Sequence, residues 1–316
     1  MTMYRYIILT IIFLLLYGCH RHPYYDMEDY TGGVLTVNFD WEGYIDIPPG
    51  MNLYFYPIVD SDSKDYDYSG NPIHHQLQYD GGTVSLPVGR YNVVIFNDYT
   101  YNILYRGMDN YLSAEAYLDF YNRQPLASRS YSSINVAEPD IYYVTQIENL
   151  IISPNDGDRT ITVRPILKTL KLFVHAKITG QQYISKADCG INSAAGGIIL
   201  ATGNSKEDEC NRLFPVSINS DGLYGNTKMF LLDSPMARTY EIEFAFLLRN
   251  NTIAMGKFKR NVTNQIVNGL SLNGGNIPPE GIHVYIDDIE IDEVSTSGGF
   301  DASIDGWGDE INIDLQ

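Results

Sequence analysis

Thr169-Leu170-Lys171-Leu172-Phe173-Val174-His175-Ala176-Lys177-Ile178 is the stretch that decides the fold. Leu170, Leu172, Val174, Ala176 and Ile178 alternate with Thr169, Lys171, Phe173, His175 and Lys177. A period of two belongs to a strand, because successive side chains point to opposite faces; one row enters a core and the other meets solvent. The same alternation runs through Leu35, Val37, Phe39 and Trp41, and through Ile242, Phe244, Phe246 and Leu248. Shorter runs of this kind lie at Met51–Tyr56, Thr83–Val88, Tyr91–Phe96, Thr160–Arg164 and His283–Ile286. Turn-forming clusters separate them: Pro48-Pro49-Gly50, Asp80-Gly81-Gly82 and Pro278-Pro279-Glu280-Gly281. Asn250-Asn251 reads as a two-residue hairpin turn, since Asn tolerates positive φ. Many short strands at regular spacing predict an all-β, antiparallel sandwich architecture.

A shift in composition divides the chain. All but four of the 26 tyrosines lie at or before Tyr143, the exceptions being Tyr183, Tyr224, Tyr240 and Tyr285. The run ending at Arg164-Pro165 meets a new strong strand near Lys168, so the expected units are 31–165 and 166–316, two β-sandwich domains in tandem. One helix is expected over Asn110–Tyr121, where apolar residues leave little room for strand alternation. At Asp287-Asp288 the alternation changes phase, which predicts a β-bulge rather than a catalytic carboxylate pair. Ile311, Ile313 and Leu315 alternate with polar residues and read as a last strand.

The N-terminus speaks about location. A short polar start with Arg5 precedes the apolar run Ile7–Tyr17, the pattern of a secretory signal peptide over 1–18 and too short for a lasting membrane span. Leu16-Tyr17-Gly18-Cys19 then resembles the lipobox of bacterial lipoproteins, in which the Cys is acylated and becomes the new N-terminus; Tyr17 departs from the residue usual there. Cys19 is therefore the expected lipidation site and 19–30 a tether, since two or three acyl chains hold a protein to a bilayer without a spanning helix. The remaining cysteines, Cys189 and Cys210, stand as either a disulfide around Ala194–Gly197 or two separate thiols in an oxidising compartment.

Lys+Arg total 21 against 39 Asp+Glu, a formal net charge of −18, which argues against nucleic acid and against electrostatic docking on anionic lipid. No GxSxG, HExxH, P-loop or dinucleotide fingerprint occurs. Ser61-Asp62-Ser63-Lys64 matches S-x-x-K and Ser217-Ile218-Asn219 matches S-x-N, but the Lys-Thr-Gly element of penicillin-recognising enzymes is missing. Asp60, Asp62, Asp65 and Asp67 invite a calcium reading; Lys64 at the fifth position and no Gly at the sixth make them a solvated loop instead. His74 and His75 are adjacent in a strand and point to opposite faces, and His20 and His22 belong to the tether, so no metal and no cofactor are expected. The tyrosines have two readings, strand formers on half-buried surfaces or aromatic platforms for sugars.

Several of these pieces coincide in one family. Cys19-His20-Arg21-His22 leads to Asp29; a strand ends in Asn38-Phe39-Asp40-Trp41; Met51-Asn52-Leu53-Tyr54-Phe55-Tyr56-Pro57 follows. Then come Gly82-Thr83-Val84-Ser85-Leu86-Pro87-Val88-Gly89-Arg90-Tyr91, Phe96-Asn97-Asp98, and a close on Gly298-Gly299-Phe300-Asp301 and Gly306-Trp307. The chain resembles the fimbrillin-like lipoproteins of Bacteroidales bacteria. That resemblance implies two transthyretin- or immunoglobulin-like β-sandwich domains, an outer-membrane location exposed at the cell surface, and a role in fimbriae and cell adhesion rather than catalysis. Shaft subunits of that family are trimmed by an Arg-specific protease near the first strand. Between His22 and Gly89 this chain has no Arg and one Lys, Lys64, so the resemblance implies an accessory or anchor subunit that meets fimbrial partners by strand addition. The alternative is a carbohydrate-binding surface lipoprotein.

Overall fold

The computed structural model describes residues 32–58, 70–120, 134–153, 158–255 and 257–291. In chain order the first ten strands are β1 (Gly33–Phe39), β2 (Gly50–Pro57), β3 (Ile73–Gln78), β4 (Gly81–Leu86), β5 (Gly89–Asn97), β6 (Ile103–Arg106), β7 (Glu115–Leu118), β8 (Asn135–Val136), β9 (Tyr143–Ile152) and β10 (Asp158–Val163). There follow β11 (Ile166–Leu167), β12 (Thr169–Thr179), β13 (Ile184–Ala195), β14 (Gly197–Ile199), β15 (Asn204–Ser205), β16 (Glu209–Asn219) and β17 (Gly222–Leu231). β18 (Glu241–Leu248), β19 (Ile253–Ala254), β20 (Lys259–Asn261), helix α1 (Thr263–Leu272) and β21 (Ile282–Glu290) complete it.

Two large curled sheets carry the fold, as the all-β, two-domain reading expects. The first has the order β10-β1-β4-β3-β2-β5-β9-β11. Its core takes the apolar row of each strand: Leu35, Val37 and Phe39 from β1, Met51, Leu53 and Phe55 from β2, Val93 and Ile95 from β5. The second runs β19-β18-β13-β16-β17-β12-β21, with β20 also on β18 and β8 on β16. Leu170, Leu172, Val174 and Ala176 point into its core as the alternation of β12 requires. Pairing is mostly antiparallel, but β1–β10, β12–β21 and β8–β16 are parallel. A third sheet, β15-β14-β7-β6, is shared between the two halves of the chain, because β7 pairs with β14 across residue 165.

The expected helix over Asn110–Tyr121 does not form among the residues described, which reach Phe120. Turns after Gly107 lead into β7, and only Ala114, Ala116 and Leu118 are buried, a period of two set by pairing with β14. The one regular α-helix described lies instead at Thr263–Leu272, where Ile266 and Leu270, four residues apart, are its buried contacts. Gly269 lets that helix press on β21: a Cβ there would sit 2.8 Å from the Ile282 side chain. A hairpin does form at Asn250-Asn251, but its loop has three residues, Arg249 to Asn251, rather than two: the Asn251 N–H donates to the Leu248 carbonyl, the Leu248 N–H to the Thr252 carbonyl, and Asn251 takes φ 64°. The bulge is also present: Ala176 pairs with Ile286 and Ile178 with Ile289, leaving Asp287 and Asp288 opposite Lys177.

Candidate functional site at the edge of β21

The parallel pair β12–β21 builds a ladder on its outer face from three successive cross-strand partners. Phe173 stacks on His283 with ring centroids 4.6 Å apart and planes at 16°. His175 stacks on Tyr285 at 4.9 Å and 14°. Lys177 then reaches Asp287 at 3.2 Å. From the other side Tyr224 of β17, opposite His175 in the antiparallel register, meets that ring edge-on at 5.1 Å. Stacked and opposite-charge pairs of this type each add a few tenths of a kcal/mol to about 1 kcal/mol to strand pairing.

The two histidines touch directly. His175 Nε2 and His283 Nδ1 are 3.1 Å apart, joining residues 108 positions apart in sequence. Burial pushes His175 below the ordinary histidine value, and the neighbouring His283 adds to the shift. A groove of about 490 Å³ opens beside this ladder, lined by His175, Asn219, Asp221, Tyr224, Tyr285 and Asp287. A second, of about 400 Å³, runs between α1 and the start of β21, past Gln265, Asn268, Glu280 and His283.

Among the described residues β21 is the last strand of its sheet, and one side of its backbone has no neighbouring strand there. Helix α1 covers part of that side. Gln265 Nε2 donates to the Tyr285 carbonyl at 2.9 Å, and the Tyr285 N–H donates to Gln265 Oε1 at 2.8 Å. Sequence reading did not single out Gln265, Tyr285 or the His175–His283 contact. Alternation places His175 and His283 on the polar faces of their strands, but only the pairing of those strands brings them together.

The residues expected from the sequence are dispersed. Cys19, His20, His22, the Asp60–Asp67 loop, Ser61 and the strand around Ile311–Leu315 lie outside the described residues. Cys189 and Cys210 are free, buried thiols, which corrects the disulfide alternative. Both sit on the β13–β16 ladder, but Cys189 faces Phe214 and Cys210 faces Ala194. Phe214 and Cys210 are four positions apart on one strand, roughly 13 Å at strand rise, beyond the ~7 Å Cα separation that a disulfide spans. Burial raises both thiols, Cys210 to about 11, so neither is an activated nucleophile. His74 and His75 do point to opposite faces: His74 meets Asn52 at 2.8 Å and stacks on Tyr54, while His75 lies edge-on to Phe55. Tyr56, Tyr91, Tyr142 and Tyr143 are buried, so these four tyrosines build core, while Tyr79, Tyr99 and Tyr101 remain exposed. Among the described residues no group of three or more His, Cys, Asp or Glu side chains is placed to hold a metal ion, and no helix is long and apolar enough to cross a membrane.

Comparison with known proteins places this architecture. The chain is 26% identical over 99% of its length, and 98% of the relative's, to a Bacteroides ovatus protein that carries the provisional name fimbrium anchoring subunit Fim4B. A crystal structure from Bacteroides ovatus, provisionally described as an adhesin, shares its fold with a TM-score of 0.64 at 21% identity, over 84% of this chain and 94% of that one. A Bacteroides thetaiotaomicron structure of the DUF1812 group, provisionally described as polysaccharide-binding, follows the same fold with a TM-score of 0.51 at 11% identity, over 81% of this chain and 89% of that one. These matches bear out the resemblance to fimbrillin-like proteins. The family model described as "Domain of unknown function (DUF5119)" matches residues 18–215, from Gly18 into β16 and so across both large sheets, and the chain belongs to that family.

Proposed function

We propose that this chain is a non-catalytic, lipid-anchored subunit of outer-membrane fimbriae, of the accessory or anchor type, that engages partner subunits through the edges of its sheets. The observation that carries the reading is the end-to-end similarity to the Fim4B relative. The lipobox ending in Cys19 supports attachment to the membrane. Sheet topology supports an untrimmed subunit: β1 is hydrogen-bonded on both sides, to β10 and to β4, and no Arg lies between His22 and Gly89 for a trimming protease to use. Among the described residues the outer edge of β10, and that of β21 beyond the part Gln265 covers, offer main-chain groups to an added strand, with side-chain pockets on alternate positions for specificity.

Intact-mass analysis of the membrane-fraction protein beside a Cys19→Ala variant, with protease shaving of whole cells and pull-down of fimbrial subunits, tests this. A lipidated, surface-cleavable, otherwise full-length chain that retains fimbrial subunits supports it. A product beginning beyond β1 makes the protein a polymerising shaft subunit, and a freely secreted, unlipidated product removes the reading. Carbohydrate binding is the second reading, favoured by the amide, carboxylate and phenol groups of the groove formed by Asn219, Asp221, Tyr224 and Tyr285. Glycan-array binding by residues 20–316 that is lost in Asp221→Ala would favour it over partner recruitment.

A further inference from the structure

The ring centroids of His175 and His283 are 5.4 Å apart, their planes differ by 19°, and the facing nitrogens are 3.1 Å apart. The nitrogens thus lie between the two rings and meet head-on. Such a contact needs one N–H donor and one lone pair. Neutral rings supply both when their tautomers are complementary. One added proton leaves the contact intact and makes it charge-assisted. Two added protons put a hydrogen on each nitrogen, remove the last lone pair and set two cations face to face. Stacking limits the escape of either ring, since Phe173 backs His283 and Tyr285 backs His175.

We propose that the His175–His283 contact is an acid-sensitive latch on edge strand β21, closed while the pair holds no more than one extra proton and opened by the second. Its surroundings bring charge of both signs. On β12 it is flanked by Lys171 and Lys177, which are paired with Asp46 and Asp287. On β17 and its turn stand Tyr224, Lys228 and Asp221, with Lys228 paired to Glu138. β21 adds Tyr285 and Asp287, the approach to β21 adds Glu280, and α1 adds only the uncharged Gln265 and Asn268. Both histidines belong to the ladder that holds β21 to β12, so opening the latch loosens the pairing of an edge strand while the interior strands of the sheet keep theirs.

The test is amide hydrogen exchange of the chain 20–316 at pH 7.5 and 5.0, corrected for intrinsic rates, for the parent chain and for His175→Gln and His283→Gln. Gln keeps hydrogen-bonding capacity and does not titrate. The parent should lose about tenfold protection in β21 relative to β13 on acidification, the factor that one pK unit of linkage provides. Both variants should lose little. The imidazole C–H resonances of His175 should titrate below the ordinary histidine range in the parent and move part of the way back in His283→Gln. An equal loss in the variants, no loss in the parent, or a His175 that titrates alike in the parent and in His283→Gln would overturn the proposal.

Discussion

The Gln265 side chain hydrogen-bonds both the N–H and the C=O of Tyr285, at 2.8 and 2.9 Å, and so occupies the place that a neighbouring strand's peptide group would take on the edge of β21. A primary amide carries the same donor and acceptor pair as a backbone peptide, and α1 presents it in register with the strand. Edge strands invite unwanted pairing unless something blunts them. Tyr285, 62% exposed, is where this edge is covered. Gln265→Ala should uncover the slot, cost about 1–3 kcal/mol for two lost hydrogen bonds, and increase concentration-dependent self-association in analytical ultracentrifugation. Gln265→Glu, which keeps the acceptor and loses the amide donor, should fall between the two.

Arg212 is 5% exposed, and its guanidinium donates to Thr227 Oγ1 at 2.9 Å, to the Val136 carbonyl at 3.3 Å and to Glu138 at 2.9 Å. It pins β8 to the second sheet. Truncation to Ala removes the donors to the Val136 carbonyl and to Thr227, and a destabilisation of about 1–3 kcal/mol is expected in urea unfolding. Arg212→Lys should recover only part of it, since an ammonium cannot span the fork.

Gly81 opens β4 at φ +109°, and a Cβ added there would lie 2.0 Å from the Val37 carbonyl oxygen. Gly81→Ala therefore combines backbone strain with a clash against β1. A loss of about 2 kcal/mol or more is expected, read as a lowered thermal midpoint. Gly275, at φ +85° but with nothing within 4 Å of its would-be Cβ, is the control: it should carry the strain without the clash and lose less.

Stability should fall in mild acid. Burial lowers His74, His75 and His175 below their ordinary value, and the neighbouring His74 and His283 add to the shift at His75 and His175. A histidine lowered in the folded state binds its proton more readily when unfolded. The stabilisation is therefore complete above the unfolded value of about 6.5 and is lost as pH falls from there through the folded value. Urea midpoints at pH 7.5 and 5.0 should show this, and His75→Gln should reduce the difference.

Strands were legible wherever one face meets the core and the other meets solvent. β1, β2, β5, β12 and β18 follow from alternation alone, and the change of phase at Asp287-Asp288 announced the bulge opposite Lys177. Segments whose form is imposed by distant partners were not legible. Glu115–Leu118 is a strand held between its hairpin neighbour β6 and β14, some 80 positions later. Helix α1 contains Asn, Gly and β-branched residues of modest helix propensity, and is held by Ile266 and Leu270 against the core and by Gly269 against Ile282. The Cys189–Cys210 question turned on a register between β13 and β16 that no local pattern encodes. Gln265 was invisible for the same reason: nothing nearby in sequence marks an amide that will stand in for a strand.

Strand β7 from the first half hydrogen-bonds β14 from the second, joining the β6–β7 and β14–β15 pairs in one small sheet, and β8 lies against β16. A tensile load applied between the two halves would therefore be borne by these shared ladders as well as by the single covalent passage near Pro165. Rows of backbone hydrogen bonds carry such a load collectively where a lone linker would simply straighten. The same stitching means that neither half can be exchanged as a cassette, because each would arrive with unpaired strands whose complements remained behind.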